Sequence, residues 1–359
     1  MKRRTKWIDI AKGIAIFMVL IGHGMRDSMR LENSILDYIY RVCYVFHMSF
    51  FFFLSGFSLR NSLERYSYDR KLLMKKKVKS LFLPWISYTL LIYLLFHTAL
   101  RIPFIRSVLE DSGYNSISLL LYLKKAFQLS NDWAYHLWFL LVLFIISILF
   151  IVISKKSKFS LAIIAVTALF TVGHGYYDWM GSWNDLFFHL AVYTPYFLIG
   201  YKIQLERLVT GDTGRVFFLF FGGLGILYIL VRARFFSGFN GNNIAGETKT
   251  IRVTVAYLGY ILLPFVMVLL CRLSYIFSKS MKGIVKGLAW LGENSFHVYL
   301  WHQPFCCAFA GLILYDRLHF PAVFTILLCI ALSLFAGFIA TELRAYLASA
   351  LQRQEGRLR

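Results

Sequence analysis

The sequence has little that would hold a secreted or soluble domain together. Only five of its 359 residues are cysteine. An odd number with no external pair argues against a disulfide framework, because every cysteine falls in or at the edge of an apolar run: Cys43, Cys271, Cys306, Cys307 and Cys329. No small-x-small cleavage pattern follows the first apolar run, and Lys12 interrupts it. Residues 7–25 are therefore predicted to be an uncleaved first membrane span and not a signal peptide.

Several catalytic signatures are also missing. The chain has no G-x-S-x-G nucleophile elbow and no Walker-type phosphate loop, which argues against a serine hydrolase or a P-loop nucleotidase. It has no H-x-x-x-H pair with a carboxylate partner and no cysteine pair at ligand spacing, so no metal is expected, with metal binding kept as a minority hypothesis. Acidic residues are scarce, with 18 Asp and Glu against 39 Lys and Arg.

The composition is that of a membrane protein. Hydrophobic residues make up 58% of the chain and aromatic residues 18%, and the mean hydropathy is +0.62. The net charge of +21 could suggest nucleic acid, but the basic residues gather in alternate loops, as the positive-inside rule requires. We interpret the charge as an orientation signal with attraction to anionic membrane lipid, and expect no nucleic-acid partner.

The hydropathy pattern predicts an all-α, polytopic integral membrane protein with about ten transmembrane helices, forming a single integral domain over residues 1–359. An even number of spans and basic segments at both ends predict cytoplasmic N- and C-termini. The predicted spans are residues 7–25, 36–57, 81–100, 135–154, 159–172, 186–201, 216–231, 253–271, 288–314 and 321–343.

The first span carries Asp9, Lys12 and His23. At about 100° per residue, Lys12 and His23 differ by only about 20°, and Asp9 lies within about 60° of Lys12. A charged group facing lipid costs about 2.5–3.5 kcal/mol, so this face is expected to turn inward. The alternatives are that Lys12 snorkels to the headgroups, Asp9 caps the helix and His23 is merely interfacial.

Other polar groups fall on later spans. Ser295, Tyr299 and His302 are predicted to share one face of the ninth helix, and Glu293 and His297 to form a separate pair four residues apart. Further imidazoles that could meet His23 in one intramembrane cavity are His47, His136 and His189. A neutral imidazole suits a general base. The adjacent thiols of residues 306 and 307 are open to two interpretations, nucleophile or helix packing.

Two segments have a structural and a functional interpretation. The lysines of residues 75–79 either mark the cytoplasmic side or attract a phosphate-rich cytosolic molecule such as coenzyme A. The aromatic connection at residues 173–185 is either an interfacial belt or a carbohydrate platform.

Five motifs in order resemble acyltransferase family 3, bacterial ten-span enzymes that transfer acyl groups, usually acetyl from acetyl-CoA, to envelope glycans. IDIAKGIAIFMVLIGH at residues 8–23 is similar to the family's D-x-x-R-G opening and later His, with Lys12 in place of Arg, which keeps the charge but loses the planar fork. The other motifs are FFFLSGF (51–57), KKKVKSLFLPW (75–85), HLWFL (136–140) and SFHVYLWHQPF (295–305). The last two resemble the fucose O-acetylase-like, polysaccharide-modifying branch.

The resemblance implies a membrane O-acetyltransferase of the bacterial cell membrane that acts on a glycan or lipid-linked sugar. His23 would be the general base or the acyl carrier, with Lys12 and Asp9 beside it in the catalytic set. Acetyl-CoA would be held by Ser55 and by the lysines Lys75, Lys76, Lys77 and Lys79. Candidates for orienting acceptor or donor are His136, Tyr299 and His302.

One alternative comes from a different functional class. A polysaccharide exporter or flippase would use the same apolar spans without consuming acetyl-CoA. The two halves of the chain show no matched broken helices, which weakens an inverted-repeat transporter. Acyl transfer is therefore the preferred hypothesis.

Overall fold

A computed structural model describes residues 5–111, 115–153, 163, 166–167, 183–212, 214–235, 249–280 and 282–357. No β-strand occurs within these ranges. The helices, numbered in chain order, are α1 Lys6–Gly24, α2 Asp27–Glu32, α3 Ser34–Arg65, α4 Arg70–Ala99, α5 Pro103–Asp111, α6 Leu119–Gln128, α7 Tyr135–Ile153, α8 Asn184–Lys202, α9 Leu205–Thr210, α10 Arg215–Phe235, α11 Lys249–Ser278, α12 Ile284–Glu293, α13 Ser295–Arg317 and α14 Ala322–Arg357.

The prediction of an all-α multi-pass membrane protein is confirmed. Among the described residues, eight helices are long and apolar enough to cross a membrane: α1, α3, α4, α7, α10, residues Thr254–Ser278 of α11, α13 and residues Ala322–Leu347 of α14. Of the two other predicted spans, residues 186–201 form helix α8. Residues 159–172 lie almost wholly outside the described ranges, as do most of the connection 173–185 and the loop 232–252.

The structure corrects several predicted boundaries. Residues 58–79 were expected to be a loop, yet α3 continues to Arg65 and α4 already begins at Arg70. The 32 residues of α3 give a rise of about 48 Å, more than the roughly 30 Å hydrocarbon core. The basic residues of this segment therefore lie mainly on helical extensions. Asp69 caps the start of α4, since its side chain accepts the Leu72 N–H.

The predicted ninth span is also corrected. The prediction of one helix over 288–314 is wrong, because the chain leaves helical geometry at Asn294 (φ −100°, ψ 7°), between α12 and α13. Glu293 and His297 consequently lie on different helices. Helix α13 itself changes from α-helical turns to wider π-helical turns at His302–Phe309 and Leu312–Arg317.

The described chain divides into two compact units. The first comprises Met1–Phe51, Glu206–Gly246 and Ile261–Arg359; the second comprises Phe52–Leu205 and Glu247–Tyr260. The expectation of a single integral domain stays a prediction.

In the first unit, α1 packs against α12 with backbone touching backbone. A Cβ placed on Gly13 would lie 2.0 Å from the Leu288 carbonyl oxygen, and one on Gly292 would lie 1.7 Å from the Asp9 carbonyl oxygen. Such an approach is possible only for glycine, as in other membrane helix pairs with small residues at the interface. The start of α1 is thereby held against α12, which leaves its other end to contact α3 and α13.

In the second unit, glycines allow the same close backbone packing between α3 and α8. A Cβ on Gly56 would lie 2.0 Å from the Phe197 carbonyl oxygen, and one on Gly200 would lie 2.0 Å from the Phe53 carbonyl oxygen. The glycine of the FFFLSGF motif, Gly56, is thus a packing residue. Ser55, its neighbour in sequence, is half-buried on α3.

Candidate active site

The imidazole of His23 lies in the last turn of α1 and is half-buried. The hydroxyl of Tyr44 on α3 lies 3.3 Å from Nδ1 and 3.4 Å from Nε2. The side-chain nitrogen of Gln303 on α13 lies 3.3 Å from Nδ1. Three helices therefore meet at this imidazole, and both hydrogen-bonding neighbours come from other helices.

Two further imidazoles surround this point. The ring centroid of His302 is 5.0 Å from that of His23, with the ring planes inclined by 62°. His47 lies 5.0 Å from the ring of Tyr44, centroid to centroid. Both flanking histidines are buried. The structure thus brings His23, His47 and His302 together around Tyr44.

The local backbone explains why Gln303 can reach His23. Its φ of −124° and ψ of 153° are extended, within the π-helical segment His302–Phe309. Its side-chain oxygen accepts the backbone N–H of Ala308 at 3.2 Å. Wide turns of this kind occur often at functional sites, and here one directs a polar side chain away from the helix ladder and toward His23.

An ion pair between Arg26 and Asp316 stabilises the same part of α13. Arg26, just beyond α1, donates through Nε to Asp316 at 2.7 Å and through Nη1 to the Ala308 carbonyl at 3.0 Å. Asp316 also accepts the Ser28 hydroxyl at 2.6 Å. Ala308 is therefore held by Gln303 on its N–H and by Arg26 on its carbonyl.

Tyr44 has its own support on α3. Its ring stacks on Tyr40 at 4.1 Å between centroids, and the guanidinium of Arg30 lies 3.6 Å from the centre of the Tyr40 ring. Asp37 bridges two arginines, at 3.9 Å from Arg30 and 2.7 Å from Arg41. Tyr44 remains 37% exposed, so its hydroxyl is fixed beside His23 without being sealed from its surroundings.

The other predicted residues of the first unit lie at defined places. Asp9 is buried at 3% exposure and Lys12 is half-buried, both on the part of α1 that packs against α12. Tyr299 is buried, and its carbonyl accepts from Nδ1 of His302 at 2.6 Å. Tyr299 therefore contributes its backbone to the site. The catalytic roles assigned to these residues stay predictions.

Within the described ranges, no group of three or more His, Cys, Asp or Glu side chains is arranged to hold a metal ion. The buried thiol of Cys307 lies 3.5 Å from the Ser333 hydroxyl, and Cys329 contacts the Cys307 carbonyl at 3.8 Å. These contacts favour packing between α13 and α14 as the role of Cys307.

The sequence model of a family described as an acyltransferase domain matches residues 5–341. The chain belongs to acyltransferase family 3. It is thus a membrane acyltransferase with multiple spans. No curated protein and no solved structure matches the chain.

In the second unit of this acyltransferase, the predicted donor-binding lysines lie close together along α4. Lys75, Lys76 and Lys79 are exposed and Lys77 is half-buried. Lys76 donates to the phenol of Tyr66 and lies 3.8 Å from the centre of its ring. That hydrogen bond and the lysine's charge lower the pKa of Tyr66. The lysine ammoniums form a basic surface suited to phosphate, while their donor-binding role stays a prediction.

His136 and His189 also belong to the second unit. His136 is buried in the first turn of α7. His189 packs 4.4 Å from Trp138 between ring centroids, and Trp138 stacks on Tyr193 at 5.2 Å. His189 is therefore part of an aromatic packing arrangement in its own unit.

Three residues of the candidate site were not predicted from the sequence: Tyr44, Gln303 and Arg26. Gln303 directly follows the predicted His302, and Tyr44 precedes His47 by three positions, so proximity to a predicted histidine was the available signal. Periodicity could not identify Gln303, because its side chain reaches His23 only where the helix departs from regular geometry.

Proposed function

We propose that this acyltransferase transfers an acetyl group from cytosolic acetyl-CoA to a hydroxyl of a cell-envelope or exported glycan. The proposal rests chiefly on one observation: His23 is half-buried at the end of α1, with Tyr44 and Gln303 at hydrogen-bond distance and His302 beside it. A neutral imidazole in that position can accept a hydroxyl proton near pH 7.

In the proposed reaction, His23 takes the proton of the acceptor hydroxyl as its oxygen attacks the thioester carbonyl carbon. The carbon–oxygen bond forms, the carbon–sulfur bond breaks, and the departing coenzyme A thiolate receives the proton from His23. In the alternative mechanism, His23 first accepts the acetyl group from acetyl-CoA and then passes it to the acceptor hydroxyl. This mechanism adds one transfer step at the same residue.

The donor's phosphates are proposed to bind the α4 lysines, residues 75, 76, 77 and 79, with Ser55 as a further donor contact. Clustered ammoniums attract a polyanion both at long range and through charge-assisted hydrogen bonds. Lys12 and Asp9 are proposed to support the catalytic end of the donor, and His136, Tyr299 and His302 to orient donor or acceptor.

The proposed location is the bacterial cell membrane, with both termini in the cytoplasm. The basic residues of α4, of the turn after α11 and of the C-terminal part of α14 support this orientation through the positive-inside rule. The donor lysines would then face the compartment that supplies acetyl-CoA.

The test is transfer of radiolabelled acetyl from acetyl-CoA to envelope glycan in inverted membrane vesicles. Wild type is compared with His23→Ala and with His97→Ala at equal expression. His97 is half-buried on α4, where it stacks on Tyr93 in the second unit, and serves as the matched control. We expect His23→Ala to lose label by about 100-fold or more, and His97→Ala to retain it.

Equal label in wild type and His23→Ala would overturn the assignment of His23. Absence of label in all samples, with movement of glycan across the vesicle membrane, would overturn acetyl transfer and favour the exporter alternative.

A further inference from the structure

Three buried histidines of the described chain each place Nδ1 against a backbone carbonyl of their own helix. Nδ1 of His47 contacts the Cys43 carbonyl at 2.5 Å, Nδ1 of His302 contacts the Tyr299 carbonyl at 2.6 Å, and Nδ1 of His189 contacts the Asp185 carbonyl at 2.6 Å. A carbonyl oxygen can only accept, so Nδ1 carries a proton in each case, and in the neutral ring Nε2 has the lone pair.

His23 is held differently. Its polar contacts within the described chain are with two side chains, Tyr44 and Gln303. A hydroxyl can donate or accept and therefore selects neither tautomer. The amide of Gln303 is left as the group that can decide which nitrogen of His23 bears the proton.

The orientation of that amide follows from its other contact. The backbone N–H of Ala308 can only donate, so the Gln303 atom 3.2 Å from it must be the oxygen Oε1. The NH2 group then faces His23 Nδ1 at 3.3 Å. Since an amide NH2 can only donate, Nδ1 must accept, and in the neutral ring the proton resides on Nε2.

We propose that Gln303 is a positioning residue that holds His23 in the tautomer with an unprotonated Nδ1, the reverse of its flanking histidines. This inference rests on the proposed function, in which His23 is the base. Nδ1 is then the nitrogen that accepts the proton of the acceptor hydroxyl, while the Tyr44 hydroxyl lies 3.3 Å from Nδ1 and 3.4 Å from Nε2.

The weakness of the Gln303 contact suits this role. At 3.3 Å it is longer than the usual 2.9–3.0 Å of an N–H hydrogen bond, so an acceptor hydroxyl can replace the amide at Nδ1. The hydroxyl proton then moves to Nδ1 as the carbon–oxygen bond forms and the carbon–sulfur bond of the donor breaks. After the reaction the amide can return to Nδ1, because the Ala308 N–H holds its oxygen and Arg26 in turn holds the Ala308 carbonyl.

The tautomer can be measured without any substrate. The full chain, labelled with carbon-13 and nitrogen-15 in histidine and placed in lipid nanodiscs, is studied by solid-state NMR near pH 8. Loss of one signal set in His23→Asn identifies His23 among the nine histidines. We expect an unprotonated Nδ1 in wild type. A protonated Nδ1 at His23 in wild type would overturn the proposal.

Two variants sharpen the test. Gln303→Glu keeps the oxygen that accepts from Ala308 but replaces the donor with a second acceptor, so the proton on His23 should move to Nδ1. Gln303→Leu removes both interactions, and the tautomer preference should weaken. Gln204→Glu, an exposed amide-to-acid change outside the site, is the control and should leave the His23 signals unchanged. Unchanged His23 signals in Gln303→Glu would also overturn the proposal.

Kinetics provide the second readout. In the radiolabel assay, Gln303→Glu should lower kcat by about ten-fold or more, with the KM for acetyl-CoA unchanged, because a general base depends on its free nitrogen. If Gln303→Glu changes the tautomer but His23→Ala keeps full activity, the proposed base is wrong while the positioning role of Gln303 stands. If Nδ1 of His23 is protonated in wild type and His23→Ala is inactive, His23 remains the proposed base and only the proposed role of Gln303 is wrong.

Discussion

Gln303 and His23 lie 280 positions apart in the sequence, and the side-chain nitrogen of one is 3.3 Å from Nδ1 of the other. The contact joins the end of the first helix to a π-helical turn of α13. Residues that position this turn, including Arg26 and Asp316, are therefore expected to influence the position of Gln303 relative to His23.

The Tyr44 hydroxyl can be tested without disturbing its ring. Tyr44→Phe keeps the stack on Tyr40 but removes the group near both nitrogens of His23. We expect acyl transfer to fall by about ten-fold, with little change in thermal stability because a single long hydrogen bond contributes about 1 kcal/mol or less. Tyr38→Phe, which removes the 3.4 Å contact to the Leu230 carbonyl elsewhere on α3, is the control and should stay active.

The glycine contact of α1 and α12 predicts a sharp difference between two neighbouring glycines. Gly292→Ala would place a Cβ 1.7 Å from the Asp9 carbonyl oxygen, whereas a Cβ on Gly287 of the same helix meets nothing within 4 Å. We expect Gly292→Ala to destabilise the protein by about 1–3 kcal/mol through overpacking, and Gly287→Ala to be neutral or slightly stabilising. Thermal unfolding in detergent measures both. Equal Tm values would contradict the close packing of these helices.

The lysines of α4 are predicted to act on donor binding. The triple variant Lys75→Gln, Lys76→Gln and Lys79→Gln should raise the KM for acetyl-CoA by about ten-fold and leave kcat nearly unchanged, because charge attraction acts before the chemical step. The matched control neutralises three other exposed lysines, Lys279, Lys282 and Lys286. An equal rise in KM for both triple variants would show a general effect of charge and remove the specific role of α4.

The Arg26–Asp316 pair is predicted to act through the turn that carries Gln303. Asp316→Asn weakens the bond that orients Arg26, so acyl transfer should fall several-fold, although a half-exposed pair contributes only about 1 kcal/mol to stability. A double-mutant cycle with Arg26→Gln measures the coupling in kcat.

The control for this cycle is the exposed pair Arg106–Glu110 in the second unit. Breaking it should leave kcat unchanged. Additive effects of Arg26→Gln and Asp316→Asn on kcat would show that the two residues do not act on catalysis as a pair, which contradicts the prediction.

Several features of the first helix could be predicted from the local sequence alone. Its length, its apolar content and the shared face of Asp9, Lys12 and His23 follow from composition and from 3.6 residues per turn. The break at Asn294 does not, since apolar residues lie on both sides of it and the sequence can be interpreted as one helix over residues 288–314. The helical extension of α3 and α4 beyond the predicted spans was missed for the opposite reason, because clustered charged residues suggest a loop even where the helix continues.

The sequence by itself determined the class of this protein. A chain so rich in apolar residues must satisfy its backbone within helices when it crosses a membrane, and five motifs in order indicated the family. Only the tertiary structure decided what surrounds His23. Its neighbours Tyr44, His302 and Gln303 come from two other helices, and no local periodicity encodes contacts between distant segments. The orientation of the Gln303 amide depends further on one backbone N–H in a π-helical turn, which is a property of the folded chain alone.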